Sequence, residues 1–111
     1  MTDSSSFQDL KVWQEAMTLV EEVYRVSARF PLTERFGLTA QIRRAAVSIP
    51  SNIAEGKRRK RQRALLNHLD IALGSQGEVE VQLGFAKRLK FASEKESEPV
   101  TNRVAPKLAG C

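Results

Sequence analysis

Gln41-Ile-Arg-Arg-Ala-Ala-Val-Ser-Ile-Pro-Ser-Asn-Ile-Ala-Glu-Gly56 spaces its apolar residues three and four apart. With Leu38 in front, Ile42, Ala45, Ala46, Ile49 and Ile53 fall on one side of a 3.6-residue period. A strand would alternate every second residue, so the spacing predicts a helix from Thr33 or Leu38 to Glu55. Thr33 offers a cap for a first turn at Glu34, and Gly37 breaks that turn from the main helix. Pro50 removes one backbone donor and crowds the preceding turn, which predicts one kinked helix, not two elements. Ser48, Ser51 and Asn52 are short polar groups suited to the freed carbonyl and to interhelix hydrogen bonds. Gly56 reads as the stop just past the helix end.

Upstream, Leu10, Trp13, Ala16, Met17, Val20, Val23, Tyr24 and Ser27 trace a second helical stripe, ended by Pro31 after Phe30. Asp9 is the expected N-cap, with Phe7 packing on the first turn. Residues 1–8 are then a flexible N-terminus ahead of a single domain over 9–111.

Downstream, Leu65, Leu66, Leu69, Ala72, Leu73, Gln76, Val79, Leu83, Ala86 and Leu89 sustain a stripe between roughly Lys60 and Phe91. Gly74, Gly77 and Gly84 interrupt it, each at about 1 kcal/mol against alanine. Their cost predicts close approach of a neighbouring helix, or a local irregularity around Gly74-Ser-Gln-Gly77. Ser93-Glu-Lys-Glu96 is a capping box that opens a fourth helix with Val100, Val104 and Leu108 as its stripe. Pro99 and Pro106 predict that this helix is short or irregular. No segment alternates like a strand between hairpin turns. The fold class is all-α, an antiparallel up-and-down four-helix bundle.

With 111 residues the chain makes one domain, and 41% hydrophobic with 28% charged residues is a globular composition. No apolar run has the length of a bilayer crossing, and the polar start Met1-Thr-Asp-Ser-Ser-Ser lacks the basic, apolar pattern of a signal. No membrane partner is expected. One cysteine, Cys111, excludes a disulfide framework and a cysteine-built zinc site, and suits a cytoplasmic address. No cofactor is expected, since no phosphate-cradling glycine loop, HExxH or nucleophile elbow is present.

Charge is the informative part. The formal net charge is +5, yet Lys57-Arg-Arg-Lys-Arg-Gln-Arg63 holds six cations and no anion. Outside it, 12 basic residues face 13 acidic ones, so the basic character is local.

The run Gln41–Gly56 resembles the signature of the bacterial four-helix-bundle family encoded in intervening sequences of 23S ribosomal RNA genes. Phe7-Gln-Asp-Leu-Lys-Val-Trp13 and Ile71-Ala-Leu-Gly-Ser75, with Glu78, Glu80, Gln82 and Leu83, agree with it. The resemblance covers most of residues 7–91 and implies an up-and-down bundle assembled as a homopentamer, without enzymatic activity. It also implies a relation to the accessory variability protein of diversity-generating retroelements, a basic pentameric barrel that binds nucleic acid and a reverse transcriptase. The chain departs from the family at Gly77 and Gly84, where larger residues are usual. It departs again after Phe91, where a long, well-patterned fourth helix is usual.

Lys57, Arg58, Arg59, Lys60, Arg61 and Arg63 are the candidate nucleic-acid site. Placed between the second and third helices at the start of the latter, they oppose its macrodipole and repel one another. A phosphate backbone gains from that arrangement through counterion release. No aromatic is interleaved, so binding to RNA or DNA is expected without sequence preference. Arg43 and Arg44 either extend the positive surface or pair with Glu78 and Glu80 on the facing helix.

The resulting expectation is a non-enzymatic, self-associating bundle. The alternative is a structural or adaptor oligomer that binds an acidic protein surface, its charges serving solubility. A third reading is a helical ribonuclease, from the Arg63-x4-His68 spacing, but five residues turn a helix by about 500° and leave those side chains apart. His68 is the only histidine, so it lacks a second imidazole for a metal, and none is expected.

Overall fold

Four helices follow one another in the computed structural model, which describes the backbone of residues 4–110 and the side chains of residues 10–104. They are α1 (Ser4–Ser27), α2 (Leu38–Arg59), α3 (Gln62–Arg88) and α4 (Glu94–Gly110), with a 3-10 turn at Leu32–Glu34. The described residues contain no strand. Contacts join α1 to α2, α2 to α3, α3 to α4 and α4 back to α1, so the helices form a square bundle in chain order. None of the helices, over the described residues, is long and apolar enough to cross a membrane.

Each junction has a local cause. Gly37 opens α2 without a side chain of its own, and the Glu34 carboxylate folds over it to accept the Leu38 N–H at 3.0 Å. A Cβ at Gly37 would meet that carboxylate oxygen at 2.8 Å, so a side chain there would push the flexible Glu34 carboxylate aside. The break at Gly37 is thus as the sequence predicts, but Thr33 does not cap the first turn: it lies inside the 3-10 turn, whose N-cap is Pro31.

At the other end α2 runs past Gly56 to Arg59, and Lys60 closes it in the left-handed region at φ 61°. Gly56 is therefore not the stop. It is buried, and a Cβ there would approach His68 Cβ to 3.0 Å and Leu65 Cδ1 to 3.2 Å. Its job is to let α3 come close.

α3 starts at Gln62 and ends at Arg88, inside the limits the stripe suggests. Lys90 takes φ 65°, the Lys90 N–H bonds Lys87 O at 3.0 Å, and the Phe91 N–H bonds Ala86 O at 2.8 Å. That is a Schellman stop built without glycine. Phe91 then packs on Phe30 with ring centroids 6.0 Å apart.

The capping box at α4 is present in both directions. Ser93 N–H donates to Glu96 Oε1 at 2.8 Å, and Glu96 N–H donates to Ser93 Oγ at 3.0 Å. Shortest of the four, α4 nevertheless continues through Pro99 and Pro106. It is held by burial of Ser97, Val100 and Val104 against the core. Leu108 and Cys111 lie outside the described side chains.

The core contains Val23, Ile42, Val79, Val100 and Val104, all at 1% exposure or less. On α2 the buried set includes Ile42, Ala45, Ala46, Ile49 and Ile53, as the spacing predicts, and Pro50 is buried within one unbroken helix. α1 is rotated from its expected stripe: Leu19 and Val26 are buried, while Leu10, Met17 and Tyr24 are exposed. The three interior glycines of α3 also differ from expectation. α3 is continuous, and nothing lies within 4 Å of a Cβ built at Gly74, Gly77 or Gly84. Asp9 lies inside α1, which begins at Ser4, so it does not cap that helix. The Phe7 side chain lies outside the described set.

Candidate nucleic-acid interface

The basic run occupies the tip where α2 turns into α3. Lys57, Arg58 and Arg59 form the last turn of α2, Lys60 is its left-handed cap, and Arg61 is the extended N-cap of α3. All of them, with Arg63, are exposed.

This placement corrects the electrostatic argument made from sequence. Cations in the last turn of a helix are stabilised by its negative end, by about 0.3–1 kcal/mol each at exposed sites. Lys57, Arg58 and Arg59 therefore suit α2, and only Arg61 and Arg63 sit against the unfavourable end of α3. Glu55 adds a counter-charge, bonded to Arg59 at 2.8 Å and 3.9 Å from Arg58. The Arg59 hydrogen bond chiefly holds the Glu55 carboxyl below its ordinary range, with the Arg58 charge assisting. Sequence reasoning passed over Glu55, although its i,i+4 spacing to Arg59 was the available signal. Lys60, Arg61 and Arg63 keep their charge unpaired within the described residues.

Arg43 is not brought to the tip. Its Nε donates to Ser27 Oγ at 2.7 Å, a terminal nitrogen approaches Tyr24 O at 3.4 Å, and the guanidinium lies 4.4 Å from the Tyr24 ring centroid. It ties α2 to α1, not to Glu78 or Glu80 on α3, both of which are exposed. Arg44 is exposed and without a partner among the described residues, but lies about four helical turns, roughly 22 Å, from Arg59.

Behind the tip, a polar chain crosses from α2 to α3. Ser48 Oγ lies 2.8 Å from Ser75 Oγ, and Asn52 Nδ2 donates to Ser48 O at 2.8 Å and to Ser48 Oγ at 3.0 Å. The Asn52 amide oxygen then faces His68 Nδ1 at 2.8 Å, so that ring nitrogen carries the proton. Ser48 and Asn52 bridge helices as expected, whereas Ser51 is exposed and unbonded among the described residues. His68 faces this network while Arg63 faces solvent, and the structure does not bring the two together.

A groove of about 680 Å³ opens on the side of the bundle among α1, α3 and α4. Its walls include Val12, Leu19, Leu69 and Leu73, and its polar rim includes Glu15 and the Glu22–Arg103 ion pair at 2.6 Å. Apolar walls with carboxylates at the rim offer little to a phosphate.

The four-helix order and the α2 signature meet a specific match. The family described as 23S rRNA-intervening sequence protein matches residues 8–106. The chain belongs to that family. The match takes in the whole of α2 and α3 and most of α1 and α4. No curated protein matches the chain.

Proposed function

We propose that this member of the 23S rRNA-intervening sequence protein family is a non-enzymatic, self-associating bundle that binds duplex or structured nucleic acid through the α2–α3 tip. The observation that carries the reading is the set Lys60, Arg61 and Arg63, exposed and unpaired within the described residues beside three further cations. The α2 dipole and Glu55 account for Lys57, Arg58 and Arg59, but the fold uses nothing of the charge on the other three. A phosphate backbone would, because each neutralised phosphate releases condensed counterions.

A single tip gives weak binding. Self-association multiplies it, because linked tips engage one nucleic acid at high effective concentration. The resemblance to pentameric members makes a closed ring of five the expected arrangement, in which unlike patches meet around an axis. With no aromatic in the run, sequence preference is low.

The experiment is a gel-shift comparison of wild type with a Lys60→Gln, Arg61→Gln, Arg63→Gln variant on duplex RNA and DNA at low salt. The wild type should shift both, and the variant should bind at least about tenfold more weakly with unchanged helical circular dichroism. Equal binding by the two would move the site away from the tip. No shift by wild type would leave the oligomeric adaptor reading in its place.

A further inference from the structure

Beside the basic tip lies a second pocket, of about 310 Å³, between the first half of α1 and the end of α2. Leu10 and Trp13 of α1 line it with Ile53, Ala54 and Lys57 of α2. Leu10 is exposed, and Trp13 is half-buried and packs against the core. The basic run has no aromatic of its own, but the fold brings the chain's only tryptophan to the residue that begins the run. Lys57 is the one charged side chain among the described residues that line this pocket. The larger groove, by contrast, carries Glu15 and Glu22 at its rim.

We infer that this pocket takes an unpaired nucleobase, with Trp13 as its stacking surface, while Lys57 and the cations after it hold the neighbouring phosphates. The inference rests on the nucleic-acid reading of the tip and adds which state of the strand the tip prefers. A nucleotide joins a flat apolar ring to an anion, and the pocket joins apolar walls to a cation at the edge of a basic run. An acidic or purely apolar occupant would match only one of those features. Within a duplex the bases stack on one another, and extruding one costs free energy. A loop, an overhang or a frayed end offers a base without that cost, so the tip favours the unpaired parts of a structured nucleic acid. Every base has a flat face, so low sequence preference is retained.

Trp13 reports on its own occupancy, because no other tryptophan is present. The test is titration of its fluorescence at low salt with single-stranded oligoadenylate, as RNA and as DNA, and with a blunt-ended duplex of equal length. Both single strands should quench the emission, whereas the duplex should bind without quenching it. Trp13→Leu keeps an apolar side chain against the core and removes the stacking face. It should weaken single-strand binding in gel shifts at least about fivefold, and duplex binding by less than about twofold, with unchanged helical circular dichroism. Leu10→Ala, at an exposed position, should act in the same direction without touching the core. Single-strand binding that neither quenches Trp13 nor responds to either substitution would overturn the pocket and leave the tip standing. Failure of all three nucleic acids to bind would overturn both. A Trp13 emission that shifts with protein concentration alone would assign the pocket to a contact between copies and overturn the inference.

Discussion

Glu96 caps the start of α4 and ties it to the neighbouring helix. Its carboxylate accepts the Ser93 N–H and pairs with Arg29 of the α1 end at 3.0 Å. The Ser93 N–H chiefly holds its carboxyl below the ordinary value of 4.5, with the Ser93 hydroxyl and Arg29 assisting. A carboxyl whose folded value is lowered contributes stability that is present above its unfolded value and lost as pH falls through the folded one. Melting temperatures of wild type and Glu96→Gln should therefore differ fully above about pH 4.5 and converge as pH falls through the lowered folded value. A gap that persists at pH 2 would show that the charge is not what matters. This capping box was legible as Ser-x-x-Glu, because both partners lie within one turn. The Arg43 bond to Ser27 and its stacking on Tyr24 were not legible. They depend on the rotation of α1, which buries Leu19 and Val26 and leaves Met17 and Tyr24 outward. Exposed Leu10, Met17 and Tyr24 gave the α1 stripe an apparent width that tertiary packing does not use.

Glycine separates what a helix needs from what a bundle needs. Gly56 sits where α2 and α3 approach, and a methyl group there meets His68 Cβ at 3.0 Å. Gly77, on the opposite side of α3, meets nothing within 4 Å. Gly56→Ala must push His68 Cβ and Leu65 Cδ1 away by a few tenths of an ångström, so it should forfeit part or all of the helix-propensity gain of up to about 1 kcal/mol. Gly77→Ala should raise stability by up to about 1 kcal/mol through helix propensity, as read by thermal melts at dilute concentration. Equal effects at the two positions would contradict the packing described. Sequence alone assigned these glycines differently, taking Gly56 as a stop and Gly77 as a close approach or a local irregularity. A glycine shows that a side chain is absent, not which neighbour occupies the space. The helices were more legible: α2 kept its predicted face because Ile42, Ala45, Ala46, Ile49 and Ile53 leave no other. α4 was underestimated because Pro99 and Pro106 argue locally, whereas Val100 and Val104 are held by the rest of the core.

Across the whole molecule, the basic run remains one compact charge at one end of a bundle 47 Å long. The run was legible from the sequence. Its division was not, because it depends on where α2 ends. Continuation of α2 to Arg59 gives three of the six cations a favourable dipole and a carboxylate at Glu55, and leaves Lys60, Arg61 and Arg63 to solvent. The claim that these three engage phosphates is tested most directly by the salt dependence of duplex binding. Plotted as log K against log salt, the wild-type slope should be steep and negative, and the triple glutamine variant should be shallower by about 0.9 for each phosphate it no longer neutralises. Parallel slopes for the two proteins would contradict the account.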